Sequence, residues 1–192
     1  MVTKVETHIS SVSWGAIFAG SVIACGISIV MMQFGSAIGL SQDSPFEGEA
    51  NLAAWSVIAT GIWVLWIQLL ASLAGGYAAG YMRTPALSAS EHENEMHDGL
   101  HGFAVWALST IGVFIVVSLA AFAANYITIA AGTYEPPGDM SDTEQNTAII
   151  YAFVMGATSL LSAVAAWWAA TMGGDHRIKG TDFSHALSFK KR

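Results

Sequence analysis

Thirteen residues, "SEHENEMHDGLHG" from Ser90 to Gly102, gather four acids and three histidines in a chain that is 54% hydrophobic and 11% charged. Ser90 followed by Glu93 forms a capping box, so a helix is expected to start at Glu91. If that helix runs on, Glu93, His97 and His101 fall at i, i+4 and i+8, which puts a carboxylate and two imidazoles on one face. Two histidines one turn apart can share a Zn²⁺, with a carboxylate as third ligand. His176, near the end of the last apolar stretch, is placed to supply a fourth. The pattern lacks the glutamate that makes HExxH a hydrolytic site. It also carries Gly99 inside the helix, at about 1 kcal/mol relative to Ala. The same histidines could respond to pH. The plainer reading is a wet start to a helix. His101 would then sit at headgroup level or bond a carbonyl of the second or fourth helix, and Asp98 would face the positive helix end.

Other chemistries are less well supplied. The apolar stretches hold no Asp, Glu, Lys or Arg, which proton pumps, voltage sensors and most ion-coupled transporters need. A retinal Schiff base needs a lysine there, and His101 alone near hydrocarbon argues against a b-type haem. No Ser-His-Asp arrangement, phosphate loop or dinucleotide fingerprint occurs, so no enzyme is expected. No cofactor is expected either, beyond a divalent metal at Glu93, His97 and His101. The polar residues in the apolar stretches include Gln33, Gln68 and Asn125, with Ser109, Thr110, Thr158, Ser159 and Ser162. They read as interhelical hydrogen bonds, or as the lining of a narrow polar path. Gln33 and Asn125 lie at similar depth and could bond each other.

These residues must be positioned by helices that cross a bilayer. No charge occurs over residues 7–42, 50–82, 99–134 or 145–174. Each stretch exceeds the ~20 residues that span ~30 Å of hydrocarbon. Bare backbone cannot face lipid, so such segments cross as helices. The expected fold is all-α: a polytopic membrane protein of four transmembrane helices, arranged as two hairpins. The helices are placed at about 13–40, 52–82, 102–131 and 147–173 within a 13–174 membrane domain. A short lead-in helix is placed at about 91–99, with an N-terminal tail at 1–12 and a basic tail at 175–192. The first apolar segment is too long for a cleavable signal peptide, and only Lys4 precedes it.

Charge sets the expected orientation. Lys4, Arg83, Arg177, Lys179, Lys190, Lys191 and Arg192 all fall in the two tails or the middle loop. The positive-inside rule therefore puts both termini in the cytoplasm. The first and third loops hold acids only, including Asp43, Glu47, Glu135 and Asp142. They could concentrate cations at a pore mouth, or simply keep easily translocated loops solvated. The basic tail, ending "SFKKR", could touch anionic lipid.

Small residues recur every fourth position. The ridges are Ala16, Gly20, Ala24 and Ser28; Ser72, Gly76 and Gly80; and Ser162, Ala166, Ala170 and Gly174. Such ridges let helix backbones approach closely in lipid. Three of them predict a tight bundle, with one ridge either internal or left for a neighbouring subunit. Trp14, Tyr81, Trp106, Trp167 and Trp168 are placed as anchors at one interface, and Trp55, Tyr134 and Tyr151 at the other. Trp63 and Trp66 lie deeper, where lipid or packing is the default and a cofactor or a partner the alternative. Cys25 reads as a small packing residue. The endings "SLAGGYAAGYMR" and "ATMGGDHR" each set a Gly-Gly pair before an arginine, a short repeat that suggests two related hairpins.

The segments "SWGAIFAG" and "HDGLHGFAVWALST" resemble a group of small bacterial four-helix inner-membrane proteins labelled PhnA-like. The resemblance rests on residues 13–20 and 97–110 and on the four-helix layout. It implies that Asp98, Gly99, His101, Gly102 and Trp106 form a recurring motif at the start of the third helix. It implies no activity: the zinc-ribbon cysteines of soluble PhnA are missing, since Cys25 is the one cysteine. The expected role is association in the bilayer, as a homo-oligomer or an accessory subunit among other membrane subunits. A passive channel or small-solute transporter is the alternative, and a metal or pH sensor the third. No nucleic-acid partner is expected.

Overall fold

A computed structural model describes residues 12–39, 49–85, 89–134 and 138–180, with side chains at 37–39, 49–57, 143 and 144 left aside. Four helices account for nearly all of it: α1 (Trp14–Gly39), α2 (Glu49–Met82), α3 (Glu91–Ala130) and α4 (Asp142–Lys179). All four are long and apolar enough to cross a membrane. The expected acidic loop residues Asp43, Glu47 and Glu135, and the tails at 1–11 and 181–192, lie outside the described residues.

The helix starts and stops have local causes. Ser90 is extended and accepts a hydrogen bond from Glu93 N–H at 3.2 Å, as the capping box requires. From there α3 runs unbroken for 40 residues, about 60 Å at 1.5 Å per residue. The expected lead-in at 91–99 and third helix are therefore one element. Gly99 does not interrupt it, because its missing Cβ makes room for the Trp167 ring of α4. α3 ends where Gly132 takes a left-handed conformation and Thr133 N–H bonds back to Thr128 O. α4 continues past the expected stop at 173, so the first residues of the expected tail, Arg177 among them, are helical.

The four helices form a flattened array. α2 and α3 touch each other and both outer helices, while α1 and α4 share no contact among the described residues. Packing runs through small side chains. Ile17, Ala24, Ala71, Ala79 and Val105 form the core, and Val105 is the largest fully buried hydrophobic residue. All three small-residue ridges are buried inside this bundle, and none is left over for a neighbour. The two Gly-Gly pairs explain themselves here. Neighbouring helix residues point ~100° apart, so each pair serves two partners. Gly75 meets the Gly20 carbonyl of α1 and Gly76 the Ala166 carbonyl of α4; Gly173 meets Tyr77 O of α2 and Gly174 the Asp98 carboxylate of α3.

Burial is confined to one half of the array. In α3 the buried residues run from Asn94 to Ser109, and in α4 from Ser162 to Gly174. Beyond them, α3 from Phe114 to Ala130 and α4 from Gln145 to Val154 are exposed on every side. Gly, Ala and Ser let the backbones close up in the first half. In the second half Phe114, Phe122, Phe153 and Val154 are exposed.

Candidate functional site

Three helices meet at the packed end in a buried charge cluster. Arg83 follows the last turn of α2, Asp98 lies in the second turn of α3, and Arg177 in the last turn of α4. Arg83 and Asp98 are each only 2% exposed. Arg83 Nε donates to Asp98 Oδ1 at 2.5 Å, and its Nη2 donates to Asn94 O at 3.0 Å and Asn94 Oδ1 at 3.2 Å. Arg177 Nη2 reaches the other carboxylate oxygen at 3.4 Å. Its Nη1 donates to Gly80 O at 2.5 Å and Arg83 O at 2.6 Å, carbonyls at the C-terminal end of α2 where a helix needs outside donors. One carboxylate thus holds two arginines, and the absent Cβ at Gly174 leaves it room. Tyr77 and His176 add a 3.0 Å contact between α2 and α4.

α1 is tied in by His101. The residue is 3% exposed and both its ring nitrogens are used. Nε2 accepts from Ser13 N–H at 2.8 Å, and Nδ1 donates to His97 O at 2.6 Å. A ring that accepts at Nε2 is neutral there. The expected carbonyl partner on the second or fourth helix is therefore replaced by the first free N–H of α1. The same end of the bundle has α3 capping α1, α4 capping α2, and Asp98 joining α2, α3 and α4. His101→Ala leaves the half-buried Ser13 N–H without its partner, a loss of about 1 kcal/mol. Hydrogen exchange should report it as faster exchange in the first turns of α1 with the α2–α4 contact unchanged.

The expected metal ligands sit apart. Glu93 is exposed, His97 is half-buried, and His101 is turned into the bundle with both nitrogens engaged. Among the described residues no group of three or more His, Cys, Asp or Glu side chains is gathered for a metal ion. Two of the expected interface anchors also turn inward: Trp106 donates to Ser162 Oγ at 3.1 Å, and Trp167 packs over Gly99. Deep Trp63 donates to Met31 O of α1 at 3.0 Å, while Trp66 is exposed.

Where the helices begin to part, a cavity of about 360 Å³ opens between all four. Gln68, Ser109, Thr110, Ser159 and Ser162 line it, so part of the expected polar path does come together. Gln33 and Asn125 do not join it; both are exposed, and no hydrogen bond links them. Towards the charge cluster the cavity ends at a waist, where Gly76 and Gly102 both abut the Ala166 carbonyl.

The charge cluster was not anticipated from the residue pattern. Its signal was present: Arg83 and Arg177 each follow a Gly-Gly pair, and Asp98 sits one residue before the third charge-free stretch. Compared with family models, with curated proteins and with solved structures, the chain shows no match.

Proposed function

We propose that this chain is a multi-pass protein of the bacterial inner membrane, with both termini cytoplasmic, that acts without catalysis by associating with a second copy of itself. Accessory assembly with other membrane subunits is the form this takes if the second chain differs. The orientation follows the basic residues, since Arg83, Arg177 and Lys179 sit at the same end as the starts of α1 and α3. The PhnA-like resemblance of residues 13–20 and 97–110 agrees with this placement.

The observation that carries the reading is the open half. α3 beyond Phe114 and the facing part of α4 have no cover among the described residues. Asn125 is exposed there, and Gln33 is exposed on α1, both in apolar surroundings. An amide is donor and acceptor at once, so it is self-complementary across a symmetric dimer, and interhelical amide bonds in lipid contribute about 0.6–2 kcal/mol each. The packed half supplies a rigid base that fixes the angle at which this surface is held out.

Asn125→Cys in a Cys25→Ala background, oxidised in native membranes, is expected to form a disulfide-linked pair. Val22→Cys, also exposed but on α1, is expected not to. Native mass spectrometry of the gently extracted protein should show a homo-oligomer, or a mass including other chains. A monomer that cross-links at neither position, or at both alike, removes the proposal.

A passive channel or small-solute transporter is the second reading, and the hydroxyl and amide lining of the cavity is the observation in its favour. The waist at Gly76, Gly102 and Ala166 works against a path within one chain, so a path would run between copies. Solute flux from vesicles bearing the cross-linked pair separates the two readings. A metal sensor at Glu93, His97 and His101 would require His101 to give up one of its two backbone bonds. Metal content that falls in the His97→Ala, His101→Ala double variant would restore that reading.

A further inference from the structure

The cavity between the helices has a consistent chemistry. Its volume of about 360 Å³ falls within the ~300–1,000 Å³ of small-molecule sites. No charged side chain lines it, and Val64, Phe114, Val117 and Met155 make much of its wall. Three of its hydroxyls are turned to accept. Ser109 and Thr110 donate their hydroxyl hydrogens to Trp106 O at 3.0 and 2.7 Å, and Ser162 donates to Ser159 O at 2.7 Å. A hydroxyl has one hydrogen, so these three offer only lone pairs. Gln68, which also lines the cavity, has a buried Oε1 with no hydrogen-bond partner. A buried acceptor left unpaired is costly, and a ligand that brings a donor relieves it.

We infer that the cavity binds an uncharged, lipid-soluble alcohol or phenol, whose hydroxyl donates to Gln68 Oε1 and whose hydrocarbon part lies along Val64, Phe114, Val117 and Met155. A carboxylate or phosphate would bring a charge into a cavity whose lining has no cation to meet it. A ketone or ether lacks the donor that Gln68 requires. Access is from the bilayer side, since Phe114 and Val117 are exposed towards the open half. The inference goes beyond association and rests only on the membrane placement proposed above.

The test uses the full chain reconstituted in phosphatidylcholine vesicles, with flotation as a separate check of that placement. The probe is a 4-alkylphenol carrying a diazirine in its alkyl chain, with labelled peptides identified by mass spectrometry. Label is expected at the α2, α3 and α4 segments that line the cavity. Excess 4-hexylphenol should compete at least tenfold better than 4-hexylanisole, which has the same body without the donor. Gln68→Leu exchanges an unpaired acceptor for an apolar side chain of similar size, so it should keep its helicity and elution volume. It should lose at least fivefold in labelling. Equal competition by the anisole, unchanged labelling of Gln68→Leu, or label at Phe122 and Phe153 equal to that in the cavity would each overturn the inference. So would cross-links to a second copy through the cavity residues. Protein that fails to float removes the membrane placement instead.

Discussion

Asp98→Ala should be the most damaging single substitution in this chain. It leaves Arg83, 2% exposed, with only the Asn94 carbonyl and amide to answer its charge, and it removes the side-chain acceptor of Arg177 Nη2. Breaking a buried ion pair from one side costs about 3–5 kcal/mol, because the remaining charge stays buried and uncompensated. The loss should appear as a lower midpoint when the detergent-solubilised protein is unfolded with SDS. It should also appear as weaker association, since the cluster fixes how α3 and α4 leave the packed half. Removing both charges is a different matter. An apolar pair of similar volume is often as stable as a buried ion pair, so Arg83→Met with Asp98→Leu should recover much of the loss. If Asp98→Ala is as stable as the parent, or if the two substitutions simply add, the cluster does not hold the helices together.

Gly80→Ala should be nearly as severe, although it adds a single methyl group. The new Cβ would overlap the Ala170 carbonyl and backbone of α4. Backbone cannot rotate out of the way as a side chain can, so α2 and α4 must separate along the waist. Overpacking of this kind costs about 1–3 kcal/mol, occasionally more. Separation would also draw Arg177 away from the α2 carbonyls that it caps. Gly26→Ala and Gly156→Ala are the comparison, because a Cβ at either position meets nothing within 4 Å. There the helix preference for Ala over Gly, about 1 kcal/mol, should leave the protein unchanged or more stable. Equal SDS midpoints for Gly80→Ala and Gly26→Ala would mean that the two backbones do not approach as described.

The two substitutions differ in how far sequence reasoning could foresee them. Gly80 stood on a ridge with Ser72 and Gly76, and small residues four apart are a helix-contact signal that needs no partner to be read. Asp98 was visible only as a carboxylate near a helix start. Its partners lie 15 and 79 residues away. Nothing local relates the turn of α3 that carries Asp98 to the turns that end α2 and α4.

What the sequence determined by itself was what depends on length, composition and immediate neighbours. Four charge-free stretches, each long enough to cross a bilayer, point to four helices, because a backbone that crosses hydrocarbon has no alternative. Ser90 and Glu93 start α3 because a cap is made within one turn. The small-residue ridges mark contact faces because spacing by four is a property of one helix. Tertiary structure alone decided which faces meet and at what depth. Helices bound for lipid are apolar all round, so their residues carry little of the one-sided pattern that orients a helix in a water-soluble fold. His101 shows the consequence. By spacing it shared a face with Glu93 and His97, as a metal ligand would. In the bundle that face is split between solvent and interior, and the ring is used to cap α1. Gln68, Gln33 and Asn125 looked equivalent along the chain. Packing buried the Gln68 oxygen in a cavity and left the other two exposed, because small residues close the helices at one end only.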